Sequence, residues 1–128
     1  MPPSRNNPAK NWAFTINNYV DDDAEKLDFI FSQGHANYLV YGFEVGEEGT
    51  PHIQGYVQFK KRLRFNQVKQ MVGGRAHLDE EYQNSTPVAN QTYCKKDGNF
   101  REFGHCTQIS TCPNYFRYHR YPRFNNSL

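Results

Sequence analysis

Gly49-Thr50-Pro51-His52-Ile53-Gln54-Gly55-Tyr56-Val57-Gln58-Phe59 is the stretch from which the fold can be read. Ile53, Val57 and Phe59 fall on one side of a two-residue repeat, and His52, Gln54, Tyr56 and Gln58 on the other. Successive side chains of an extended chain point in opposite directions, so this period describes a strand with one buried face. The polar face is unusual. Where Lys, Glu or Thr would be ordinary, it carries an imidazole and an amide two residues apart, projecting from the same side. That pair predicts half of a metal site.

The other half is sought just upstream. Tyr38-Leu39-Val40-Tyr41-Gly42-Phe43-Glu44-Val45 is a second strand rich in aromatic and β-branched residues. Gly46-Glu47-Glu48-Gly49-Thr50-Pro51 supplies turn chemistry between the two. A hairpin places Glu44 alongside His52 and Gln54. One carboxylate, one imidazole and one amide oxygen form a mixed nitrogen and oxygen set, which suits Mg²⁺ or Mn²⁺ better than a thiolate-seeking ion. Taken by themselves, the two strands favour a plainer alternative: a surface histidine beside a solvated edge carboxylate.

Composition sets the scale. At 128 residues the chain is one domain's worth. Its mean hydropathy of −0.92 is polar, yet aromatics reach 16%, enough large apolar area for a modest core. A net charge of +2 is compatible with nucleic acid without demanding it. No apolar run is long enough to span a membrane, and no signal-peptide core stands at the start. The three cysteines, Cys94, Cys106 and Cys112, form no CxxC pair, which predicts a reduced, intracellular chain.

Taken in order, residues 1–10 are rich in Pro and Asn and predict a disordered arm. Asn11-Trp12-Ala13-Phe14-Thr15-Ile16-Asn17-Asn18 alternates as a first strand, with Trp12, Phe14 and Ile16 inward and Thr15 and Asn17 outward. Asp21-Asp22-Asp23 opens a helix whose Ala24, Leu27, Ile30 and Phe31 recur at helical spacing, and Gly34 ends it. After the hairpin comes Lys60-Lys61-Arg62-Leu63-Arg64. This basic run reads equally as a solvated turn and as a guide for a phosphate backbone. Phe65, Val68, Met71 and Val72 mark a second helix, ended by Gly73-Gly74. Arg75-Ala76-His77-Leu78-Asp79 alternates again, leaving His77 and Asp79 on its open face as secondary candidates. Thr86-Pro87 reads as N-cap and first position of a third helix, which carries Tyr93 and Lys96 three residues apart and ends at Asp97-Gly98. Asn99-Phe100-Arg101-Glu102-Phe103 is a short last strand. The tally predicts an α+β fold: a ferredoxin-like or RRM-like antiparallel sheet of about five strands, helices on one face and the functional residues on the open face or the last helix.

A tyrosine beside a divalent ion suggests one chemistry. The phenol is a poor nucleophile at its ordinary pKa of about 10, but an ion that polarises a phosphodiester eases attack at phosphorus. Attack would leave a 5′-phosphotyrosine and free a 3′-hydroxyl. A lone Tyr-x-x-Lys is weak evidence for this, since helical tyrosines mostly pack.

Three segments in order raise its weight. Phe14-Thr15-Ile16-Asn17-Asn18, then Gly49-Thr50-Pro51 leading into His52-Ile53-Gln54-Gly55, then Tyr93-Cys94-Lys95-Lys96 resemble the three motifs of replication-initiator (Rep) proteins of circular single-stranded DNA viruses, within the HUH endonuclease superfamily. The resemblance is circovirus-like, extends through Phe65-Asn66-Gln67-Val68-Lys69 and Gly98-Asn99, and covers roughly residues 11–104. It implies a nuclease domain there, flanked by the arm and by a basic, aromatic tail over 105–128. It implies Glu44, His52 and Gln54 as ligands of Mg²⁺ or Mn²⁺, although Glu47 and Glu48 compete for the carboxylate role. It further implies Tyr93 as nucleophile with Lys96 as helper, and Thr15 and Asn17 as DNA contacts. Lys60, Lys61 and Arg62 join the expected DNA contacts by their charge.

The implied activity is nicking and joining of single-stranded DNA at an origin stem-loop, which starts rolling-circle replication. The implied setting is the host nucleus, with full-length Rep as a further partner and no membrane. The chain carries no Walker A pattern, so ATP-driven unwinding is not expected of it. His105, Cys106, Cys112 and His119 match no standard zinc spacing. The rival reading is a non-catalytic module that binds an origin or single strands on the same fold, as an RRM stacks bases on its open sheet; Tyr56 would be its main aromatic.

Overall fold

The computed structural model describes residues 8–79 and 86–107. Its elements are β1 (Ala9–Asn17), α1 (Asp21–Ser32), β2 (Ala36–Val45), β3 (Pro51–Leu63), α2 (Phe65–Val72), β4 (His77–Asp79), α3 (Pro87–Cys94) and β5 (Phe100–Gly104). The strands form one antiparallel sheet in the order β4-β1-β3-β2-β5. The strand that the alternation identified first, β3, lies at the centre, paired with β1 on one side and β2 on the other.

Helix boundaries follow the local chemistry. Asp23 reaches back so that Val20 N–H donates to its Oδ2 at 2.8 Å, which satisfies one orphan donor at the start of α1. Gly73 adopts φ 111° and closes α2, a conformation that favours glycine. Thr86 caps α3, its Oγ1 accepting from Ala89 N–H at 3.0 Å, with Pro87 in the first turn. The third helix stops at Cys94, short of the expected Asp97, and a turn carries the chain past Lys96.

The main core lies between one face of the sheet and α1 with α2. Trp12, Phe14, Ile16, Leu39, Tyr41, Ile53, Val57 and Phe59 from the strands meet Leu27 and Ile30 from α1 and Val68 and Val72 from α2, all buried. At about 1.5–3 kcal/mol per buried large apolar side chain, this layer supplies most of the fold's hydrophobic stabilisation. The third helix goes to the other face. Its Cys94 is buried with Ala13, Tyr38, Val40 and Tyr56. The polar face of the sheet is therefore covered along part of its length and open at one end.

The basic run does not form a turn. Lys60, Lys61 and Arg62 lie within β3, which continues to Leu63. At the other boundaries, β1 begins at Ala9, inside the stretch expected to be an arm, and Thr107 exchanges hydrogen bonds with the Gln58 side chain at 2.8 and 3.0 Å. The rest of the expected arm and tail, residues 1–7 and 108–128, lies outside the described residues, as do Cys112 and His119.

One contact sets the packing of β1 on β3. A Cβ at Gly55 would stand 2.1 Å from the Phe14 ring, so glycine is what allows that ring to lie flat on the central strand. Gly55→Ala is expected to lower stability by about 1–3 kcal/mol through overpacking, and Phe14→Leu in the same chain should recover part of the loss. Urea unfolding checks both; a single variant as stable as the parent would refute the contact.

Candidate active site

The sheet register assembles the candidate residues. Across β3, His52 pairs with Asn17 of β1 and with Glu44 of β2, while Gln54 pairs with Thr15 and Gly42. Directly opposed residues share a face, so Asn17, His52, Glu44, Thr15 and Gln54 all project to the side that α3 partly covers. His52 Nε2 lies 2.8 Å from Glu44 Oε1. Thr15 Oγ1 donates to Gln54 Oε1 at 3.0 Å, and the Gln54 amide reaches the Phe14 carbonyl at 3.4 Å. Glu47 and Glu48 sit exposed in the turn beyond, so Glu44 is the carboxylate that meets the imidazole.

From above, α3 supplies the remaining groups. Tyr93, in its last turn, is 40% exposed. Lys96 extends over the Tyr93 ring with Nζ 4.1 Å from the centroid, and the same ammonium pairs with Glu44 Oε2. Burial works against the charged Lys96, but the hydrogen bond to Glu44, the neighbouring Tyr93 and the Glu44 charge outweigh it and hold its pKa above the ordinary lysine value. Cys94, next to the tyrosine, is buried. Burial, then the Glu44 charge, pushes its thiol pKa well up, so the thiolate is disfavoured.

Two residues that position this helix were not found from sequence. A Cβ at Gly42 would lie 2.1 Å from the Cys94 carbonyl oxygen, so the end of α3 rests directly on β2. A lone glycine inside an aromatic strand is a signal of such close approach. Glu102, on the edge strand β5, accepts from Tyr38 Oη at 2.6 Å, Gln91 at 3.2 Å and Lys95 at 3.0 Å, tying both ends of the last helical stretch to the sheet.

The donor set fits a small divalent cation. The imidazole nitrogen and a carboxylate oxygen stand 2.8 Å apart, hydrogen-bonded to each other, and the Gln54 amide lies on the same face. Among the described residues no three His, Cys, Asp and Glu side chains cluster closely enough to hold a metal. The set here has two of those types, and its third donor is the Gln54 amide. Hard oxygen donors with one imidazole suit Mg²⁺ or Mn²⁺.

Not every expected contact gathers here. His77 of β4 stands opposite Thr15 and extends the row. Lys60, Lys61 and Arg62 lie at the far end of β3, the first of them about 26 Å from His52 at about 3.3 Å per residue. Tyr56 is 1% exposed beneath α3, so the aromatic on which an RRM-like reading would stack bases is inaccessible. No helix among the described residues is long and apolar enough to cross a membrane.

The Glu102 network has a pH signature. Burial raises its pKa, but hydrogen bonds from Tyr38, Lys95 and Gln91 outweigh this and hold it below the ordinary glutamate value. A depressed folded-state pKa stabilises above the unfolded value of about 4.3 and is lost as pH falls through the folded value. Glu102→Gln is therefore expected to cost about 1 kcal/mol at pH 7, and the difference should shrink as pH falls below the unfolded value and through the lower folded one. Chemical unfolding across this range is the check, and a pH-independent difference would exclude the charge as the cause.

Comparison with known proteins places the chain in a family. Residues 9–97 match the family described as "Putative viral replication protein". The chain is 40% identical over 98 residues to the replication-associated protein of Pigeon circovirus, covering 76% of this chain and 29% of that protein. It is 38% identical over 97 residues to the replication-associated protein of Porcine circovirus 2, covering 72% and 29% respectively. With Para-Rep C2 of the Subterranean clover stunt C2 alphasatellite it shares 34% over 96 residues, covering 75% and 34%. The chain thus spans about a third of the length of these relatives. With the match running from β1 through Lys96, the chain belongs to the viral replication-protein family and is circovirus-like.

Proposed function

We propose that this domain nicks and rejoins single-stranded DNA at a viral replication origin, using Tyr93 as nucleophile, and so starts rolling-circle replication. The observation that carries the reading is the convergence of four groups: an exposed tyrosine, the ammonium of Lys96 over its ring, and a buried carboxylate shared by that ammonium and His52. The names of the relatives, replication-associated proteins of circoviruses, support the same role.

The chemistry is a transesterification. Tyr93 Oη attacks phosphorus and loses its proton. The bond from phosphorus to the 3′ oxygen breaks, and that oxygen leaves as a 3′-hydroxyl after taking up a proton. The 5′ phosphate stays on the tyrosine as an ester of similar energy, so the reverse reaction joins strands. Glu44, His52 and Gln54 would hold Mg²⁺ or Mn²⁺, which when bound supplies polarisation of the phosphodiester. Lys96 places a positive charge beside the attacking phenol and the phosphate, where it meets the negative charge that develops on the oxygens during attack. Thr15 orients Gln54 from the neighbouring strand, and Asn17, exposed opposite His52, faces the strand of DNA. The setting that follows is the host nucleus, with single-stranded DNA of an origin stem-loop as the partner and longer Rep chains as assembly partners.

Labelled single-stranded oligonucleotides carrying an origin loop test this on a denaturing gel. A metal-dependent cut is expected, with a slow-migrating protein–DNA adduct, both abolished by EDTA and by Tyr93→Phe. Binding without a cut across origin loops would leave only the non-catalytic module. Gly42→Ala, which lifts the end of α3 off β2, is expected to slow adduct formation at least tenfold while leaving DNA affinity within about threefold, a loss of about 1.4 kcal/mol or more confined to the reacting geometry.

A further inference from the structure

The charged groups of the fold divide into two populations. Among the described residues, Lys26, Arg75, Lys95, Lys96 and Arg101 each face a carboxylate. Lys69 donates to the carbonyls of Gly74 and Ala76. Lys10, Lys60, Lys61 and Arg62 are all exposed and have no side-chain partner among the described residues. All four lie at one place. Ala9 pairs with Leu63 and Asn11 with Gln58, so the single residue Lys10 of β1 stands against four of β3, residues 59–62. A bulge of this size throws successive side chains outward and twists the strand, and bulges re-aim side chains where a surface is used. Two depressions meet there, sharing Lys60 and bordered by His35 and His105, and no carboxylate lines either. Unpaired like charges held together on a bulge repel one another, so the arrangement costs stability unless an anion meets it.

We propose that this bulge is a second, separate anchor for the DNA, in which Lys10, Lys60, Lys61 and Arg62 grip the phosphate backbone of single-stranded DNA flanking the segment held at Tyr93. The inference rests on the proposed nicking function. It adds where the rest of the strand goes. At about 26 Å from His52 along β3, the cations lie beyond a Debye length of about 8–10 Å at physiological salt. They contribute to affinity and register, not to the chemical step. With phosphates about 3.4 Å apart along a stacked strand, the anchor is reached about eight nucleotides from the reacting bond.

The test is the gain in affinity on lengthening an oligonucleotide. Fluorescence anisotropy is measured in a Tyr93→Phe background, with a short oligonucleotide that the parent nicks and with the same one extended by about ten nucleotides at either end. One extension is expected to tighten binding roughly tenfold. Lys60→Gln, Lys61→Gln and Arg62→Gln together should remove most of that gain and reduce the slope of log Kd against log salt by about 2, since each single-strand phosphate contact contributes about 0.7. Each single variant should carry about a third of the slope change, which separates the effect from misfolding. Lys26→Gln, a charge already paired on α1, should behave as the parent. An unchanged gain and slope in the triple variant would overturn the anchor. Absence of an adduct from the parent protein would instead overturn the nicking function, because the length dependence is read without cleavage.

Discussion

A carboxylate that is 8% exposed organises this molecule. Burying an ionised group is tolerated only when its charge and lone pairs are met. Glu44 is met from two directions: His52 from the adjacent strand on one oxygen, and Lys96 from beyond the last helix on the other. Losing one partner of such a group costs about 3–5 kcal/mol, because the remaining charge is stranded. A single side chain thereby couples the register of β2 against β3 to the docking of α3. If either slips, the carboxylate is left partly uncompensated, so the geometry of the candidate site and part of the fold's specificity rest on the same contacts.

The two faces of the sheet divide the labour. Beneath, α1 and α2 cover a continuous apolar layer, and the Phe14 ring lies on Gly55. Above, only α3 is laid on, over the smaller cluster around Tyr38, Val40, Tyr56 and Cys94. Stability comes mainly from the lower layer. That frees the upper face to hold polar groups whose burial is costly and whose value is chemical. Glycine marks both surfaces: Gly55 on β3 admits a ring from below, and Gly42 on β2 admits a helix end from above.

Much of this was legible because alternation reports directly on faces. The run from His52 to Phe59 separated the two faces of the sheet, although Tyr56 and Gln58 on the polar face are buried, and turn residues at Gly73 and Thr86-Pro87 marked helix ends through backbone chemistry alone. What alternation does not report is which helix covers which face. The third helix buries Pro87, Ala89 and Cys94 with no strong apolar stripe, so nothing in its spacing said that it crosses to the polar side. The basic run shows a related limit. Charge left a turn and a phosphate guide equally open, whereas the pairing of Leu63 with Ala9 of β1 keeps Lys60 to Arg62 in the strand as a bulge, a feature set by a partner distant in sequence. Glu102 was invisible for the same cause: its three donors come from β2, α3 and the residue that follows α3, and nothing local distinguishes it from any edge-strand glutamate.

Lys95 and Lys96 show how little separates a structural from a chemical role. Both stand at the C-terminal end of α3, where positive charge is favoured by the helix dipole. They turn opposite ways. Lys95 reaches Glu102 on β5 with its side chain 30% exposed; Lys96 reaches Glu44 on β2 with its side chain 17% exposed. Exposed ion pairs are worth about 0–1 kcal/mol, while breaking a buried one costs several. The inner pair therefore fixes the helix end and the outer one trims it. Tyr93 lies just before these two anchors, on the last turn of α3, with its ring beneath the inner ammonium. A side chain at that point needs no lid to be aimed: two ion pairs diverging from consecutive residues leave the helix end little freedom to rotate, and the tyrosine inherits that constraint.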